Sequence, residues 1–196
     1  MDISEVLTRM ETISGWFSSA EATLLFRFTE RALQNVASGA LVEIGSYCGR
    51  STIVLGAAAQ NYTPLGKVFA IDPHEGMLSG PSGRYFEAPS LASFQANIQA
   101  TGLEKVVVVV KKASADVVWS GPIGLLFIDG LHDYRSVAQD FAHFEPWIQV
   151  GGYAAFHDCP NPDYPDVEKY ESEVIRSGRF SEAGQAESLK VLRKER

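Results

Sequence analysis

Asp129 and His132 stand three residues apart in the segment Phe127-Ile128-Asp129-Gly130-Leu131-His132-Asp133-Tyr134, just past an apolar run. An acid at a strand tip and a histidine three positions on can both face one pocket. An imidazole with an ordinary pKa near ~6.5 is largely neutral at about pH 7 to 8, which suits a general base. The plain structural alternative is that His132 caps the following helix. Three further acids sit at comparable places: Glu43 near the end of LVEI, Asp72 after VFAI, and Asp158 after AAFH. In open parallel sheets, ligands bind beyond the carboxyl ends of the strands, so acids repeated there point to one site. A carboxylate at the Asp72 position can accept hydrogen bonds from both hydroxyls of a ribose. It can also simply close an Asx turn.

The elements that must position these groups begin at Leu41–Thr52, LVEIGSYCGRST. An apolar run ends at Gly45, a second glycine follows at Gly49, and Ser51 opens a helical pattern. A buried strand, a glycine turn and a helix start form the first unit of a nucleotide-binding α/β fold. The helix start offers free N–H groups to an anion. The pattern is E-x-G-x-x-x-G, with Tyr47 where a dinucleotide fingerprint has its middle glycine. A bulky residue there disfavours a pyrophosphate and suits a smaller ligand.

The rest of the chain alternates in the same manner. Ile3–Met10 and Ser19–Val36 read as helices, the second capped by Ser18 or Ser19 with Glu21 in its first turn. Between them, Ile13-Ser14-Gly15-Trp16-Phe17 reads as an aromatic plug rather than a substrate wall. Strands are expected at Leu41–Ile44, Lys67–Ile71, Val106–Val110, Gly124–Ile128 and Tyr153–Phe156. Helices are expected at Ser51–Ala59, Ser90–Ala100, Ser114–Trp119, Tyr134–Phe144 and Asp166–Arg176. The unbroken valines of Val106–Val110 predict a strand buried on both faces. Pro73–Pro89, with Gly76, Gly80, Pro81 and Gly83, is a long loop of the kind that carries function. Arg179–Gln185 and Ser188–Arg193 are two strands without a helix between them, which predicts an antiparallel hairpin at the sheet edge.

Composition narrows the class. At 196 residues, with 45% hydrophobic residues and a mean hydropathy of -0.04, one globular domain is expected over 1–196, with 1–38 as a helical segment packed on it. A net charge of -7 argues against nucleic acid. No apolar stretch nears the ~20 residues of a membrane span, and the N-terminus lacks the pattern of an export signal. Cys48 and Cys159 make no disulfide framework, so the expected compartment is the cytoplasm. The sequence leaves a homodimer open.

The blocks SGWFSSAEATLL, EIGSYCGRST, AIDPHEG, LLFIDGLHDY and GGYAAFHD, in this order over about residues 13–160, resemble class I S-adenosylmethionine-dependent methyltransferases of a bacterial family. GSYCGRS is similar to the loop of catechol O-methyltransferase-like enzymes, and the wider pattern to macrolide sugar O-methyltransferases and cephalosporin-hydroxylase-like proteins. The resemblance implies an α/β, Rossmann-like three-layer sandwich with a seven-stranded, mostly parallel sheet and an antiparallel C-terminal hairpin strand. It implies that Gly45, Tyr47, Gly49 and Ser51 shape the amino-acid end of S-adenosylmethionine, Asp72 its ribose, and Ser114 and Ala115 its adenine, with Glu43 and Asp129 also among the cofactor-binding residues. Asp129 and Asp158 would bind a divalent metal, Mg²⁺ or Mn²⁺, and His132 would stand where those enzymes have a lysine base. The acceptor would be a small molecule or sugar hydroxyl.

The chain departs from that family at Cys159, where an asparagine ligand is expected. A thiol is a soft ligand that Mg²⁺ does not favour, so Zn²⁺ or no metal stays open. His157 is a second departure, able to bind metal or to orient Asp158, and Glu75 is a replacement ligand to consider. Two other classes also stay open. One is a metal-dependent hydrolase built on Asp129, His132, His157 and Asp158. The other is a cofactor-binding protein without catalysis.

Overall fold

Period-two alternation along the central strands builds two cores, one on each side of a single sheet. In β1 (Ala40–Ile44), β4 (Ile123–Ile128) and β5 (Ile148–Phe156), Leu41, Leu125, Phe127, Tyr153 and Ala155 point to one side. Val42, Ile44, Leu126, Ile128, Ala154 and Phe156 point to the other. Strands buried on both faces are those of a parallel sheet covered by helices. The computed structural model describes residues 1–36, 39–62, 66–75 and 89–196.

The first core is covered by α1 (Ile3–Met10), α2 (Ser19–Asn35), α3 (Thr52–Asn61) and α4 (Leu91–Ala100). The second is covered by α5 (Tyr134–Phe144) and α6 (Pro165–Arg176). With β2 (Val68–Ile71), β3 (Val107–Val110), β6 (Phe180–Ala186) and β7 (Leu189–Lys194), the sheet has seven strands in the order β3-β2-β1-β4-β5-β7-β6. β1 to β5 run parallel, and β7 pairs antiparallel with both β5 and β6. The expected α/β sandwich and terminal hairpin are therefore present.

Local sequence explains the helix starts. Ser18 caps α2 through a reciprocal pair: its hydroxyl accepts from the Glu21 N–H, and its own N–H donates to the Glu21 carboxylate at 2.9 Å. Asp2 caps α1 by accepting from the Glu5 N–H. α3 is apolar all round, because it lies between the sheet and the N-terminal helices. The expected helix over Ser114–Trp119 is only a single 3₁₀ turn, Ser114–Asp116.

The valine run requires a correction. Among the described residues β3 is an edge strand paired with β2 alone, and Val108 and Val109 are each 37% exposed. An apolar run reports high β-propensity, but strand order decides how much of it is covered. Of the Pro73–Pro89 loop, residues 76–88, with Gly76, Gly80, Pro81 and Gly83, lie outside the described residues.

Glu43 is turned to the first core by the same alternation, on the Leu41 side of β1, and is fully buried beneath the start of α3. Ser51 and Thr52 each donate a hydroxyl hydrogen bond of 2.5 Å to its two oxygens. Burial pushes its carboxyl up to about 8 against the pull of those hydroxyls, and the charges of Asp129 and Asp72 push in the same direction. The folded protein thus holds a proton on Glu43 that the unfolded chain releases near 4.5. Stability falls as pH rises between those values. Glu43→Gln, which keeps the shape without the titration, should flatten the decline in unfolding free energy between about pH 5 and about pH 9 by about 2 kcal/mol or more. Denaturant melts of both proteins across that range check this; parallel curves would show that Glu43 does not carry the proton.

Candidate active site

The strand tips are aligned by the backbone itself. Beyond each last paired residue, one more N–H reaches the neighbouring strand: Gly45 to Ile71, Asp72 to Val110, Asp129 to Ile44, and His157 to Ile128, at 2.9 to 3.1 Å. Gly45 has φ +87, and a Cβ there would lie 2.1 Å from the Asp129 carbonyl oxygen. Only glycine lets the tips of β1 and β4 approach this closely.

Above these tips opens a cavity of about 670 Å³, of the size that holds a small ligand. Of the residues singled out in the sequence, Gly45, Tyr47, Ser51, Asp72, Ser114, Ala115, Asp129, His132 and Asp158 line it. Glu43 and Gly49 do not: Glu43 is beneath α3, and Gly49 backs onto Phe94. Glu75 is exposed and lies off the cavity wall.

Asp72 serves as both turn and wall. One of its oxygens accepts from the His74 N–H at 2.6 Å, an Asx turn, and the other from the Tyr47 N–H at 2.8 Å. Each carboxylate oxygen has two lone pairs, so capacity remains for a ligand. Ser46 Oγ, on the same wall, is buried and has no hydrogen-bond partner among the described residues. Ser114 donates its hydroxyl to Asp140 of α5, and Asp140 also lines the cavity.

At the other end, Asp129, His132 and Asp158 offer three ligand atoms within 4.8 Å of one another. His132 Nε2 is 2.9 Å from Asp158 Oδ2 and 3.7 Å from Asp129 Oδ1. Both are ion-pair contacts, and neither is aligned as a hydrogen bond. Two hard carboxylates converging on one point suit a small divalent ion such as Mg²⁺ or Mn²⁺. Asp129 and Asp158 therefore fit such an ion, with the His132 ring beside it and outside the ligand set. Asp158 is held for this by a left-handed backbone, φ +55, and by Asn161, whose amide donates to it at 2.5 Å.

Several expectations change here. Cys159 faces the second core, fully buried, and burial pushes its thiol up to about 12. It offers no ligand to the cavity. His157 is no metal ligand either: one ring nitrogen meets Asp129 Oδ1 at 2.9 Å and the other Glu21 Oε2 at 3.3 Å. It orients Asp129 in the main, with Asp158 Oδ2 farther off at 3.6 Å, and drops out of any hydrolase set. His132 does not cap α5; Asp133 does, accepting from the Ser136 N–H. Nor do the neighbours of His132 favour a neutral ring. Burial works to lower its pKa, but Asp129 and Asp158 raise it to about 9. A competing positive charge on the same two carboxylates, or a higher pH, frees the ring to accept a proton.

Three contributors were not legible as such in the sequence. The segment Ser14–Phe17 forms a wall: Phe17 is the buried plug, edge-on to His157, while Trp16 is 55% exposed and stacks on Tyr47 at the rim. Arg50 fastens that wall by donating to the carbonyls of Phe17 and Ile13 at 2.8 and 2.7 Å. Tyr164 stacks on His132 at 4.3 Å. The Arg50 and Tyr164 contacts join distant parts of the chain, which no local spacing announces.

A family model described as a methyltransferase domain matches residues 42–159. Among solved structures, the chain is similar to the O-methyltransferase NovP, with 16% identity, a TM-score of 0.77, and coverage of 93% of this chain and 84% of that one. It is also similar to the calicheamicin methyltransferase CalS11, with 16% identity, a TM-score of 0.71, and coverage of 97% and 90%. The O-methyltransferase TomG from Streptomyces achromogenes, solved in complex with SAM, shares 13% identity, a TM-score of 0.65, and coverage of 99% and 89%. At such identities these likenesses establish the fold. The matched stretch runs from β1 through the acid-bearing tips of β2, β4 and β5, and on it the chain belongs to the methyltransferase-domain family.

Proposed function

We propose that the protein is an S-adenosylmethionine-dependent O-methyltransferase acting on a small-molecule or sugar hydroxyl, assisted by a divalent cation. The observation that carries the reading is the cavity itself. At one side stand a glycine turn, the Ser46 hydroxyl and Asp72; at the other, Asp129, Asp158 and His132 converge. TomG, described in complex with SAM, has the same fold.

Gly45, Ser46, Tyr47 and Ser51 would hold the amino-acid end of the cofactor, Asp72 its ribose, and Ser114 with Ala115 its adenine. Bound there, S-adenosylmethionine would supply the methyl group, and a cation on Asp129 and Asp158 would lower the pKa of the acceptor hydroxyl. His132 takes the acceptor's proton. Tyr164, stacked on that ring, fixes its plane. Trp16 and Tyr47 at the rim, and the exposed Leu131 of the same cavity lining, give an acceptor apolar surface to rest on. A net charge of -7 is consistent with a small-molecule acceptor rather than nucleic acid. No helix among the described residues is long and apolar enough to cross a membrane. Two buried free thiols are at home in a reducing cytoplasm, the compartment we assign.

Asp72→Ala should weaken S-adenosylmethionine binding by about 2 kcal/mol, the worth of hydrogen bonds to a charged group. Calorimetry on both proteins reads this; a wild type that binds no S-adenosylmethionine, or binds NAD in its place, would remove the reading.

With an acceptor found in a panel of sugars and phenols, His132→Ala should slow single-turnover methylation by ~10²–10⁴-fold and leave cofactor affinity nearly unchanged. Chelation should lower the wild-type rate, and Mg²⁺ or Mn²⁺ should restore it. Full rate in His132→Ala would take the base role from His132, and full rate in chelator would leave the reaction without its cation.

A further inference from the structure

Glu21 lies on the first turn of α2, outside the stretch that matches the family, and is 2% exposed. Its carboxylate accepts from four donors on three segments. One oxygen takes the Ser188 N–H at 3.1 Å and the Ser188 hydroxyl at 2.6 Å, at the β6–β7 turn. The other takes the Ser18 N–H at 2.9 Å and His157 Nε2 at 3.3 Å. His157 carries the line onward, donating from Nδ1 to Asp129 Oδ1 at 2.9 Å. Phe17 and Phe127 stand edge-on to the same ring, at 5.3 and 6.4 Å between centroids.

The ring is therefore held on two sides by aromatic edges and at both ends by carboxylates. Facing two groups that can only accept, it donates from both nitrogens. Removing Glu21 leaves the Nε2 end of a buried ring unpartnered, and the ring is then free to turn toward whatever acceptor remains. Asp129 loses its fixed donor at that moment. The oxygen concerned, Oδ1, also lies nearest His132, at 3.7 Å. Maintaining a buried row of charges is expensive compared with an apolar core, so a placement that ends on Asp129 points to a role at that acid.

We propose that Glu21 is a positioning residue for Asp129, acting through His157, so that the N-terminal helix sets the orientation of the acid at the tip of β4. The claim rests on the functional reading above for what Asp129 does, and on the geometry alone for how Asp129 is held.

The test uses the full chain carrying Glu21→Ala, with Glu21→Gln as the milder variant, and Ser18→Ala as the control. Ser18→Ala removes the hydroxyl cap of α2 and leaves the Glu21–His157 contact in place. Three readouts are taken: Mn²⁺ affinity by electron paramagnetic resonance, the ring N–H signals of ¹⁵N-labelled histidine, and the Asp129 side chain in crystal structures. The chain has four histidines, so single substitutions assign the signals.

Glu21→Ala should lose the protected Nε2–H signal of His157, turn the Asp129 carboxylate away from His157, and bind Mn²⁺ about 10- to 100-fold more weakly. S-adenosylmethionine affinity should stay within about twofold of wild type, since interactions this distant from the cofactor end are nearly independent. Ser18→Ala should melt lower and keep all three site readouts. If Glu21→Ala does not fold, Glu21→Gln, which retains an acceptor oxygen, gives the same changes in reduced size. An unmoved Asp129 with unchanged Mn²⁺ affinity would overturn the proposal, as would an equal loss in Ser18→Ala. A wild type that binds no Mn²⁺ or no S-adenosylmethionine would refute the functional reading, while the His157 signal and the Asp129 orientation still decide the role of Glu21.

Discussion

Four backbone hydrogen bonds past the ends of β1, β2, β4 and β5 hold the carboxyl edge of the sheet in line. Each is made by the residue that follows the last paired one, and three of those residues are Asp72, Asp129 and His157. The register that pairs Ile44 with both Ile71 and Ile128, and Ile128 with Phe156, therefore places the chemistry as well as the core. A slip of one residue in any strand would exchange its two faces. It would also carry that strand's polar tip out of the cavity.

The acids beneath and around the cavity divide by what faces them. Burial works to raise the pKa of Glu21, Glu43, Asp129, Asp140 and Asp158. Asp129 and Asp158, facing His157 and His132, end below the ordinary carboxylate range, and Glu21, facing His157, is lowered to about 2. Glu43 and Asp140 face serine or threonine hydroxyls, which stabilise the anion too little to offset burial, and end raised. A carboxylate thus serves as a fixed charge at Asp129 and Asp158 and, at Glu43, as a nearly neutral strut behind the cavity wall. Glu43 lacks the imidazole that keeps its neighbours ionised, which is why it belongs to the anchoring of α3 rather than to ligand binding.

The N-terminal helices supply more than a cover. Arg50 pins the segment before α2 to the start of α3, and Glu21 ties α2 to the β6–β7 turn and to His157. Sequence-distant pieces at both ends of the chain meet beneath the site, joined through polar groups that are buried and hydrogen-bonded. Such networks specify one arrangement because each partner lost leaves another unsatisfied.

Much of this was legible from residue order alone. Apolar runs with period two or 3.6, glycine turns and acids placed after strands determined the elements, the mostly parallel sheet with its hairpin, and the meeting of Asp72, Asp129, His132 and Asp158 around one cavity at the strand tips. Those signals are local, or repeat along the chain, and backbone geometry converts them directly into position. The tertiary structure alone decided the rest. It set the valine strand at the sheet edge and turned Cys159 into the core. It took His157 out of the ligand set by giving it Glu21, and it set Asp158 beside Asp129 so that both raise the His132 pKa. Each of these depends on which group meets a side chain across the fold. Charge, burial and hydrogen bonding are properties of that meeting and not of the residue that precedes or follows.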